Sequence, residues 1–455
     1  MAVAAVAATA VAAAIAQTQQ AVQGFVHRQS DPSGYEWPTD TSVLRSLERW
    51  QDKKFGMLIH FGLYSVPGIV ESWSICSEDV DWISRHEPLP YDDYKKWYFA
   101  LADSLNPTEF DPEQWARTAE EAGMKYLIFT TKHHDGFCNF DTRLTDFKIT
   151  SGPFASNPRS NLAKHVFDAA RDHGLMTGAY FSKPDWHSEW FWSPEFATPN
   201  RHINYKRERH PQWWENYRKY TQGQLHELLD GDYGRFDILW LDGGWISGDD
   251  IGLDTILADV RSTTQPGLIC VDRAIRGRNE NYQTPERSIP DRQLPYPWES
   301  CITLSHDWGW VPDAPYKTPS EVISLLAEVV AKGGSLLLGV GPHPSGVIEE
   351  REVAILQEVG RWLDKNGEAI YATRPTAHYS DGEVWFTESK DGRYIYAIVP
   401  ADNEERTVSW TLNLPKGKIT DLATGKRVRH TITSDRVTLT LPPSPMPTAL
   451  RLSRP

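Results

Sequence analysis

The sequence predicts an α/β protein built as a (β/α)8-like barrel, irregular in places, followed by a small C-terminal all-β sandwich domain. Two observations carry this prediction. Short apolar runs alternate with helical patterns through most of the chain, and helical periodicity ends after Arg374 and Pro375. At 455 residues, the chain is long enough for two domains. We therefore expect the barrel over residues 39–373 and the sandwich over residues 374–455.

The predicted barrel strands are short apolar runs, the kind that a sheet buried on both faces requires. Helix candidates lie between them, and several begin at Asp or Pro, as the helix after Asp111 does. Strands are expected at residues 55–61, 126–131, 177–182, 238–241, 268–271 and 335–340, and helices at 112–121, 162–172, 211–229, 253–261, 319–331 and 349–366. Only six strands are convincing, so we expect an irregular portion in the barrel.

Beyond residue 374, short runs rich in apolar and β-branched residues are separated by Gly, Asn, Asp and Pro. This composition predicts strands joined by turns, because apolar residues at helical spacing are absent. The expected strands are 384–388, 394–399, 407–412, 431–433, 437–441 and 448–452. The predicted unit is a small β-sandwich.

The first 16 residues, MAVAAVAATAVAAAIA, are apolar and end in a small-x-small pattern. This pattern is typical of the hydrophobic and cleavage regions of a secretory signal peptide, although no Lys or Arg precedes it. The run is too short to span a bilayer. We expect a signal peptide at residues 1–16, an N-terminal extension at 17–38, and a secreted or periplasmic protein with no membrane segment after signal removal.

The charge balance and the cysteines exclude two classes of site. The formal net charge is −14, which argues against a nucleic-acid partner, because nucleic-acid-binding proteins present basic surfaces. The four cysteines are too widely spaced for a zinc motif. One or two disulfides would be compatible with export. Because Cys138 and Cys270 each lie close to a predicted strand end, we instead expect buried free thiols.

Polar side chains follow several of the predicted strands. The run FDILWLDGGW ends its strand at Asp242, before two glycines that would let a ligand approach the backbone closely. Another run, YLIFTTKHHDGF, ends at His133 and His134, and His60 ends the first strand. The carboxyl ends of barrel strands carry active sites, although Asp242 could also cap the next helix. The 19 tryptophans offer flat apolar faces that suit a sugar ring.

Cleavage of a glycosidic bond needs a second carboxylate beside Asp242, because one group attacks or activates water while the other protonates the leaving oxygen. Glu286 and Glu299 are the candidates, and both are expected in irregular, proline-rich loops after the fifth strand. The alternative for either glutamate is an ion pair with Arg287 or Arg292. If one of them is the acid, its pKa should be raised by burial or by the Asp242 charge.

Four motifs, spread through the chain in a fixed order, are the most specific feature of the sequence. They are KFGMLIHFGLYSVPG (54–68), AGMKYLIFTTKHHDGF (122–137), FDILWLDGGW (236–245) and KGGSLLLGVGP (332–342). Together they resemble the α-L-fucosidases of glycoside hydrolase family 29, and the similarity runs from about residue 53 to the end of the chain. The resemblance implies a distorted barrel with a C-terminal β-sandwich. It also implies hydrolysis of α-L-fucosides with retention, through a covalent fucosyl-enzyme.

The same resemblance implies roles for individual residues. Asp242 matches the nucleophile, and Glu286, in a TPE context, is the preferred acid/base, with Glu299 as the alternative. The residues expected to hold the fucose are His60, Trp73, His133, His134, Tyr180, Trp240 and Arg273. The chain departs from the family pattern at Ser72, where the family has a glutamate before the tryptophan, and Glu71 lies one residue earlier.

The sequence therefore predicts a retaining exo-α-L-fucosidase that acts on a fucosylated oligosaccharide or glycoconjugate, with no metal and no organic cofactor. Two alternatives stay open: a barrel glycosidase for another sugar such as galactose, and a catalytically silent sugar-binding protein on the same scaffold. The loops at 74–98, 183–209 and 305–316 hold seven tryptophans and are expected to select the leaving group. Linkage and oligomeric state are left open.

Overall fold

A computed structural model describes residues 34–78, 83–85, 87–198, 200–273, 275, 277–411, 417–433 and 435–453. The predicted signal peptide at 1–16 and residues 17–33 of the predicted extension lie outside these ranges. Within them, no helix combines the length and the apolar character needed to cross a bilayer.

A curled sheet of seven parallel strands forms the centre of the larger part of the molecule. The strands are β1 (Phe55–Ile59), β2 (Tyr126–Lys132), β3 (Met176–Ser182), β4 (Ile238–Asp242), β5 (Ile269–Asp272), β6 (Glu299–Thr303) and β7 (Ser335–Val340). Their order in the sheet is β5-β4-β3-β2-β1-β7-β6. Every strand residue is buried, which explains the continuous apolar runs. The six predicted strands are confirmed, with ends shifted by one or two residues at most.

Strand β6 was not predicted, and the expectation that Glu299 lies in an irregular loop is wrong. Glu299 is the first residue of β6 and pairs in register with Ser335, the first residue of β7. The sequence signal is weak because Glu299 and Ser300 interrupt the apolar pattern and prolines precede the strand. A glutamate is tolerated there because hydrogen bonds satisfy its buried carboxyl group, as described below.

The gap between β5 and β6 is closed by an irregular segment, residues 281–287. The backbone N–H of Asn281 donates to the carbonyl of Cys270 in β5 (2.9 Å). On the other side, Glu286 pairs with Cys301 of β6 in parallel orientation. This is the irregular portion that the strand count predicted, and it carries a candidate catalytic carboxylate into the wall of the barrel.

The described residues contain nine α-helices, which pack around the sheet. They are α1 (Thr41–Lys53), α2 (Tyr91–Ala100), α3 (Pro112–Glu121), α4 (Leu162–Asp172), α5 (Pro211–Leu229), α6 (Gly248–Ile251), α7 (Leu253–Ser262), α8 (Pro319–Ala331) and α9 (Glu350–Asn366). All six predicted helices are present, and α1, α2 and α6 are additional. Helix α1 begins after Asp40, whose carboxylate accepts the backbone N–H of Ser42 (2.7 Å), and it buries Leu47 and Trp50.

The C-terminal part consists of two antiparallel sheets that pack face to face, as predicted. Its strands are β8 (Thr373–Asp381), β9 (Val384–Ser389), β10 (Tyr394–Val399), β11 (Arg406–Trp410), β12 (Ile419–Asp421), β13 (His430–Thr433), β14 (Arg436–Leu441) and β15 (Thr448–Ser453). The sheets have the orders β12-β15-β10-β9-β8 and β11-β14-β13. Phe386 of the first sheet meets Trp410 of the second, with ring centroids 5.9 Å apart in a shared apolar core.

The four cysteines, Cys76, Cys138, Cys270 and Cys301, are buried free thiols, as the sequence predicted. Burial raises the pKa of the Cys76 thiol to about 11 and that of the Cys270 thiol to about 12. These thiols are therefore protonated at neutral pH and act as small apolar side chains in the core.

Candidate active site

A cavity of about 220 Å³ opens where the barrel strands end. Its walls include every predicted site residue except Glu299: His60, Trp73, His133, His134, Tyr180, Trp240, Asp242, Arg273 and Glu286. Eight further residues of the described ranges also line it: Leu58, Val70, Glu71, Trp245, Arg287, His306, Asp307 and Trp308. Carboxyl ends of barrel strands are where catalytic groups of this fold are placed.

Asp242 is held as a carboxylate at the end of β4. Its Oδ2 accepts the phenol of Tyr180 (2.6 Å), and its Oδ1 accepts the backbone N–H of Gly243 (2.7 Å) and Nη1 of Arg273 (3.2 Å). Burial alone would raise the pKa of Asp242. The Arg273 charge, the neighbouring His134 and the Tyr180 hydrogen bond outweigh it and hold that pKa well below its usual range. The group is thus ionised and fixed in orientation, as a nucleophile must be.

Glu286 lies across the cavity on the irregular segment between β5 and β6. One oxygen accepts Nη2 of Arg273 (2.5 Å), and the other accepts the indole N–H of Trp308 (3.0 Å). Its side chain is 21% exposed, about twice the 11% of Asp242. Glu286 is therefore the more accessible of the two carboxylates, as an acid that must meet a departing group requires.

Arg273 joins the two carboxylates. It follows β5, its side chain is only 6% exposed, and its two terminal nitrogens donate to Asp242 and Glu286 separately. Burial opposes its charge, but the two carboxylates raise the pKa of Arg273 well above its usual value. Because one guanidinium contacts both carboxylates, the two groups lie close enough together to act on one small ligand.

Glu299 lies beneath the cavity and not in it. Its oxygens accept the phenol of Tyr126 (2.6 Å) and the indole N–H of Trp240 (3.2 Å), and it is fully buried. The Trp240 ring lines the cavity, so its indole separates Glu299 from the space a ligand would fill. Burial raises the pKa of Glu299 to about 7, against the lowering effect of these hydrogen bonds.

Three neutral histidines form a polar wall. Burial lowers the pKa of His133 to about 4 and places the pKa values of His60 and His134 well below 6.5. Nδ1 of His133 lies 2.5 Å from Oγ of Ser72, and Nδ1 of His134 lies 2.6 Å from Oγ of Ser182. The serines fix the rings of His133 and His134. All three rings present uncharged polar groups to the cavity.

The adjacent histidines reach the same cavity because β2 ends irregularly. The pairing of β2 with β3 shifts between Thr130 and Lys132, and regular strand geometry stops before His133. Side chains of neighbouring strand residues point to opposite faces, so this irregularity lets both rings face the site. Both histidines therefore line the cavity.

Aromatic rings form the rest of the wall. Tyr180 stacks on Trp240 with centroids 5.3 Å apart, and Trp73 packs edge-on against His134 (5.0 Å) and beside Trp245 (5.7 Å). Aromatic rings and histidines thus pack against one another around the same cavity. This mixture of apolar and polar groups suits a sugar, whose ring carries apolar and hydroxyl-bearing faces.

Two cavity residues were predicted only by position. Glu71 lies beside the departure from the family pattern and had no predicted role, whereas Trp308 belongs to a loop that was expected to select the leaving group. Of the other tryptophans in those loops, Trp186 and Trp192 are buried away from the cavity lining, and Trp82 lies outside the described residues. Only spatial contacts could identify Trp308 among them.

Among the described residues, no group of three or more His, Cys, Asp or Glu side chains is arranged to hold a metal ion. The cavity combines a firmly ionised carboxylate, a second carboxylate and a buried arginine between them. Two such carboxylates supply the nucleophile and the acid that glycosidic cleavage needs.

Comparison with known protein families identifies one matching family. The family described as α-L-fucosidase matches residues 22–368, well over half of the chain. A curated relative, the tissue α-L-fucosidase of Bos taurus, is 31% identical over 401 residues, which cover 81% of this chain and 78% of the relative.

Solved structures give the same result. The α-L-fucosidase isoenzyme 1 of Paenibacillus thiaminolyticus has a TM-score of 0.75 and 30% identity, over 91% of this chain and 99% of that one. The α-fucosidase of Thermotoga maritima in complex with fucose has a TM-score of 0.71 and 27% identity, over 92% and 100% of the two chains. These similarities cover both the barrel and the β-sandwich.

Proposed function

The chain belongs to the α-L-fucosidase family of glycoside hydrolases, and on that premise we propose that it is a retaining exo-enzyme releasing terminal α-L-fucose from glycans. The observation that carries the proposal is the Arg273 bridge between Asp242 and Glu286 at the wall of a small cavity. Retaining glycosidases hold their two carboxyl groups about 5–5.5 Å apart, and one shared guanidinium supports a separation of that kind.

The cavity supports an exo-acting enzyme that takes one sugar residue. Its volume of about 220 Å³ is smaller than the range of about 300–1,000 Å³ that pockets for drug-sized ligands span. Fucose carries a methyl group in place of a 6-hydroxyl, which suits the wall of Trp73, Trp240 and Trp245. The neutral histidines that line the same cavity are available to exchange hydrogen bonds with hydroxyls. The relative from Thermotoga maritima is solved with fucose bound.

In the first step, Asp242 attacks the anomeric carbon and forms a covalent bond to it. The bond from that carbon to the leaving oxygen breaks, and Glu286, in its protonated form, transfers its proton to that oxygen. Tyr180, Gly243 and Arg273 hold the Asp242 carboxylate, so little reorganisation is needed before attack.

In the second step, Glu286 takes a proton from water, and the resulting hydroxide oxygen attacks the anomeric carbon from the face that the leaving group vacated. Asp242 departs as a carboxylate. The donors that lower the pKa of Asp242 stabilise it again as a leaving group. Two displacements with inversion give net retention at the anomeric carbon.

Glu286 is proposed as the acid/base in preference to Glu299. Glu286 lines the cavity and is partly exposed, whereas Glu299 is sealed beneath the Trp240 indole. Proton transfer requires hydrogen-bond reach to the reacting oxygen, directly or through one water. Glu299 would need Trp240 to move before it could meet that requirement, so its contacts support a structural role.

Export is part of the proposal. It rests on the apolar residues 1–16 and on the small-x-small pattern that precedes Gln17. Mass spectrometry of the protein recovered from culture supernatant or periplasm should find an N-terminus near residue 17. Full-length protein that stays in the cytosol would overturn this part.

The activity is tested by incubating the wild-type protein with aryl α-L-fucoside and, in parallel, with the corresponding galactoside. Proton NMR of the first product reports its anomeric configuration. We expect turnover of the fucoside with initial release of the α-anomer and little turnover of the galactoside. Release of the β-anomer would contradict retention. Preferred hydrolysis of the galactoside, or binding of fucose without turnover, would contradict the assigned activity.

A further inference from the structure

Glu71 is a buried carboxyl group that the two-step mechanism does not use. It is 3% exposed and lines the cavity one residue before Ser72. Burial, together with the nearby Asp307 charge, raises the pKa of Glu71 to about 7. A carboxyl group costs free energy to bury unless it is hydrogen-bonded, so its partners indicate what it does.

Those partners lie on the loop that follows β6. A single oxygen of Glu71, Oε1, accepts the backbone N–H of Trp308 (2.8 Å) and the backbone N–H of Gly309 (3.0 Å). Two neighbouring N–H groups on one oxygen fix both the position and the orientation of this backbone. The loop is also closely packed at Gly309, because an added Cβ atom there would lie 2.9 Å from the Tyr64 ring.

Trp308 carries this constraint to the catalytic carboxylate. Its indole N–H donates to Oε1 of Glu286 (3.0 Å), and its ring stacks on His60 with centroids 5.2 Å apart. The other Glu286 oxygen is taken by Arg273. The Trp308 indole is therefore one of the contacts that set where the Glu286 carboxyl group points.

We infer that Glu71 is a positioning residue, which holds the Trp308 backbone so that the indole keeps Glu286 aimed at the leaving oxygen. The inference rests on the proposed function, because it assumes that Glu286 is the acid/base. General acids contribute about 10²–10⁴-fold to rate when correctly placed, and that contribution is sensitive to geometry.

A positioning role has a signature that a structural role lacks. Leaving groups that depart as weakly basic phenolates need little proton transfer, whereas strongly basic alkoxides depend on it. Misplacing Glu286 should therefore slow the cleavage of poor leaving groups and spare good ones. A loss of sugar binding or of folded protein would lower the rates for all substrates equally.

The test compares kcat/KM of the wild type, Glu71→Leu, Glu71→Gln and Trp308→Phe on 2-chloro-4-nitrophenyl, phenyl and methyl α-L-fucosides. We expect Glu71→Leu to lose roughly tenfold to a hundredfold on the methyl fucoside and less than about threefold on the chloronitrophenyl fucoside. Glu71→Gln should recover the methyl fucoside rate, because the amide oxygen accepts the same two N–H groups. Trp308→Phe should reproduce the Glu71→Leu pattern.

Glu352→Leu is the matched control. Glu352 is also buried, with a pKa raised by burial to about 8, but it belongs to α9 and does not line the cavity. Its replacement should alter stability and leave the leaving-group dependence unchanged. If Glu71→Leu does not fold, Glu71→Ser replaces it, because the smaller side chain leaves room for water to bind the two N–H groups.

Equal losses across the three fucosides in the Glu71 variants would overturn the inference and indicate a direct contact with the sugar. So would a Trp308→Phe enzyme with unchanged leaving-group dependence. Absence of wild-type turnover on every fucoside is a different outcome, because it contradicts the proposed function itself.

Discussion

At the level of single residues, the contacts of Tyr180 and Arg273 decide the state of Asp242. Burial by itself favours the neutral acid, yet these donors keep the pKa of Asp242 well below its usual range. In the proposed mechanism, the same donors stabilise the carboxylate when it departs from the anomeric carbon. The hydrogen bond from Tyr180 should therefore matter more in the second displacement than in the first.

Replacement of Tyr180 by Phe tests this point, because it removes the phenol while the ring can still stack on Trp240. A hydrogen bond to a charged group contributes about 1.5–3 kcal/mol, which corresponds to roughly tenfold to a hundredfold in rate. We expect kcat on an activated aryl fucoside to fall by that factor and the covalent intermediate to accumulate, seen as a burst of phenol in stopped flow.

Tyr233→Phe is the control, since its hydroxyl contacts Asp141 and Asn161, outside the cavity lining. It should change stability without a burst. A Tyr180→Phe enzyme with unaltered kcat would show that the hydrogen bond to Asp242 does not assist its departure.

At the level of elements, the turn after β4 orients Asp242, the proposed nucleophile. Gly243 has φ +83°, in the left-handed region, and a Cβ atom there would lie 2.1 Å from Cδ of Pro184. Glycine is required by both the backbone conformation and the contact. The run FDILWLDGGW therefore encodes two features: the apolar residues form the strand, and the glycine after Asp242 allows the turn that orients its side chain.

Gly243→Ala should displace this turn. Because a shift of about 1 Å at a catalytic group can cost a hundredfold in rate, we expect kcat/KM to fall at least tenfold. Gly174→Ala is the matched control: φ is +70° there, and nothing lies within 4 Å of the added Cβ. It should cost about 1–2 kcal/mol of stability, measured by urea unfolding, at full activity. Equal activities for the two variants would contradict this account.

At the level of the whole molecule, an irregular segment closes the barrel and a buried glutamate fills part of its interior, and a strand pattern locates neither. The sheet is open between β5 and β6, and residues 281–287 close it while carrying Glu286 into the cavity. Beneath the cavity floor, Glu299 occupies the barrel interior, bound to Tyr126 and Trp240. A titratable group in that position links the stability of the whole fold to pH.

Glu299→Gln tests this link. The pKa of Glu299 is about 7 in the folded chain against 4.5 for an exposed glutamate. Above pH 4.5 the unfolded chain ionises while the folded chain stays protonated, so wild-type stability is lost progressively up to about pH 7. Glutamine does not titrate. Relative to wild type, the variant should therefore gain stability between pH 5 and pH 7, by about 3 kcal/mol at most, with no further gain above.

Urea unfolding of both proteins from pH 5 to pH 8 measures this difference. Fucosidase activity should survive in the variant, since Glu299 is not proposed to transfer protons. A stability difference that does not depend on pH would show that Glu299 titrates normally.

The sequence predicted what periodicity and strand ends encode: six strands, six helices, the β-sandwich, and the residues at the strand ends around Asp242 and His133. It missed β6, because Glu299 breaks the apolar pattern and is satisfied only by partners distant in the chain. It assigned no role to Glu71 and placed Trp308 only in a loop expected to select the leaving group, since the hydrogen bond between them joins segments far apart in sequence. The preference for Glu286 over Glu299 came from its TPE context; the depth of each carboxyl group in the barrel, which supports the same proposal, is not contained in that context.

The most direct test of the account is azide rescue of Asp242→Gly, Glu286→Ala and Glu299→Ala on an activated aryl α-L-fucoside. We predict that azide restores the first two variants and has no effect on the third. Asp242→Gly should yield β-L-fucosyl azide by direct displacement, and Glu286→Ala should yield α-L-fucosyl azide from the covalent intermediate. Rescue of Glu299→Ala with α-L-fucosyl azide, while Glu286→Ala stays unaffected, would contradict the assignment of the acid/base.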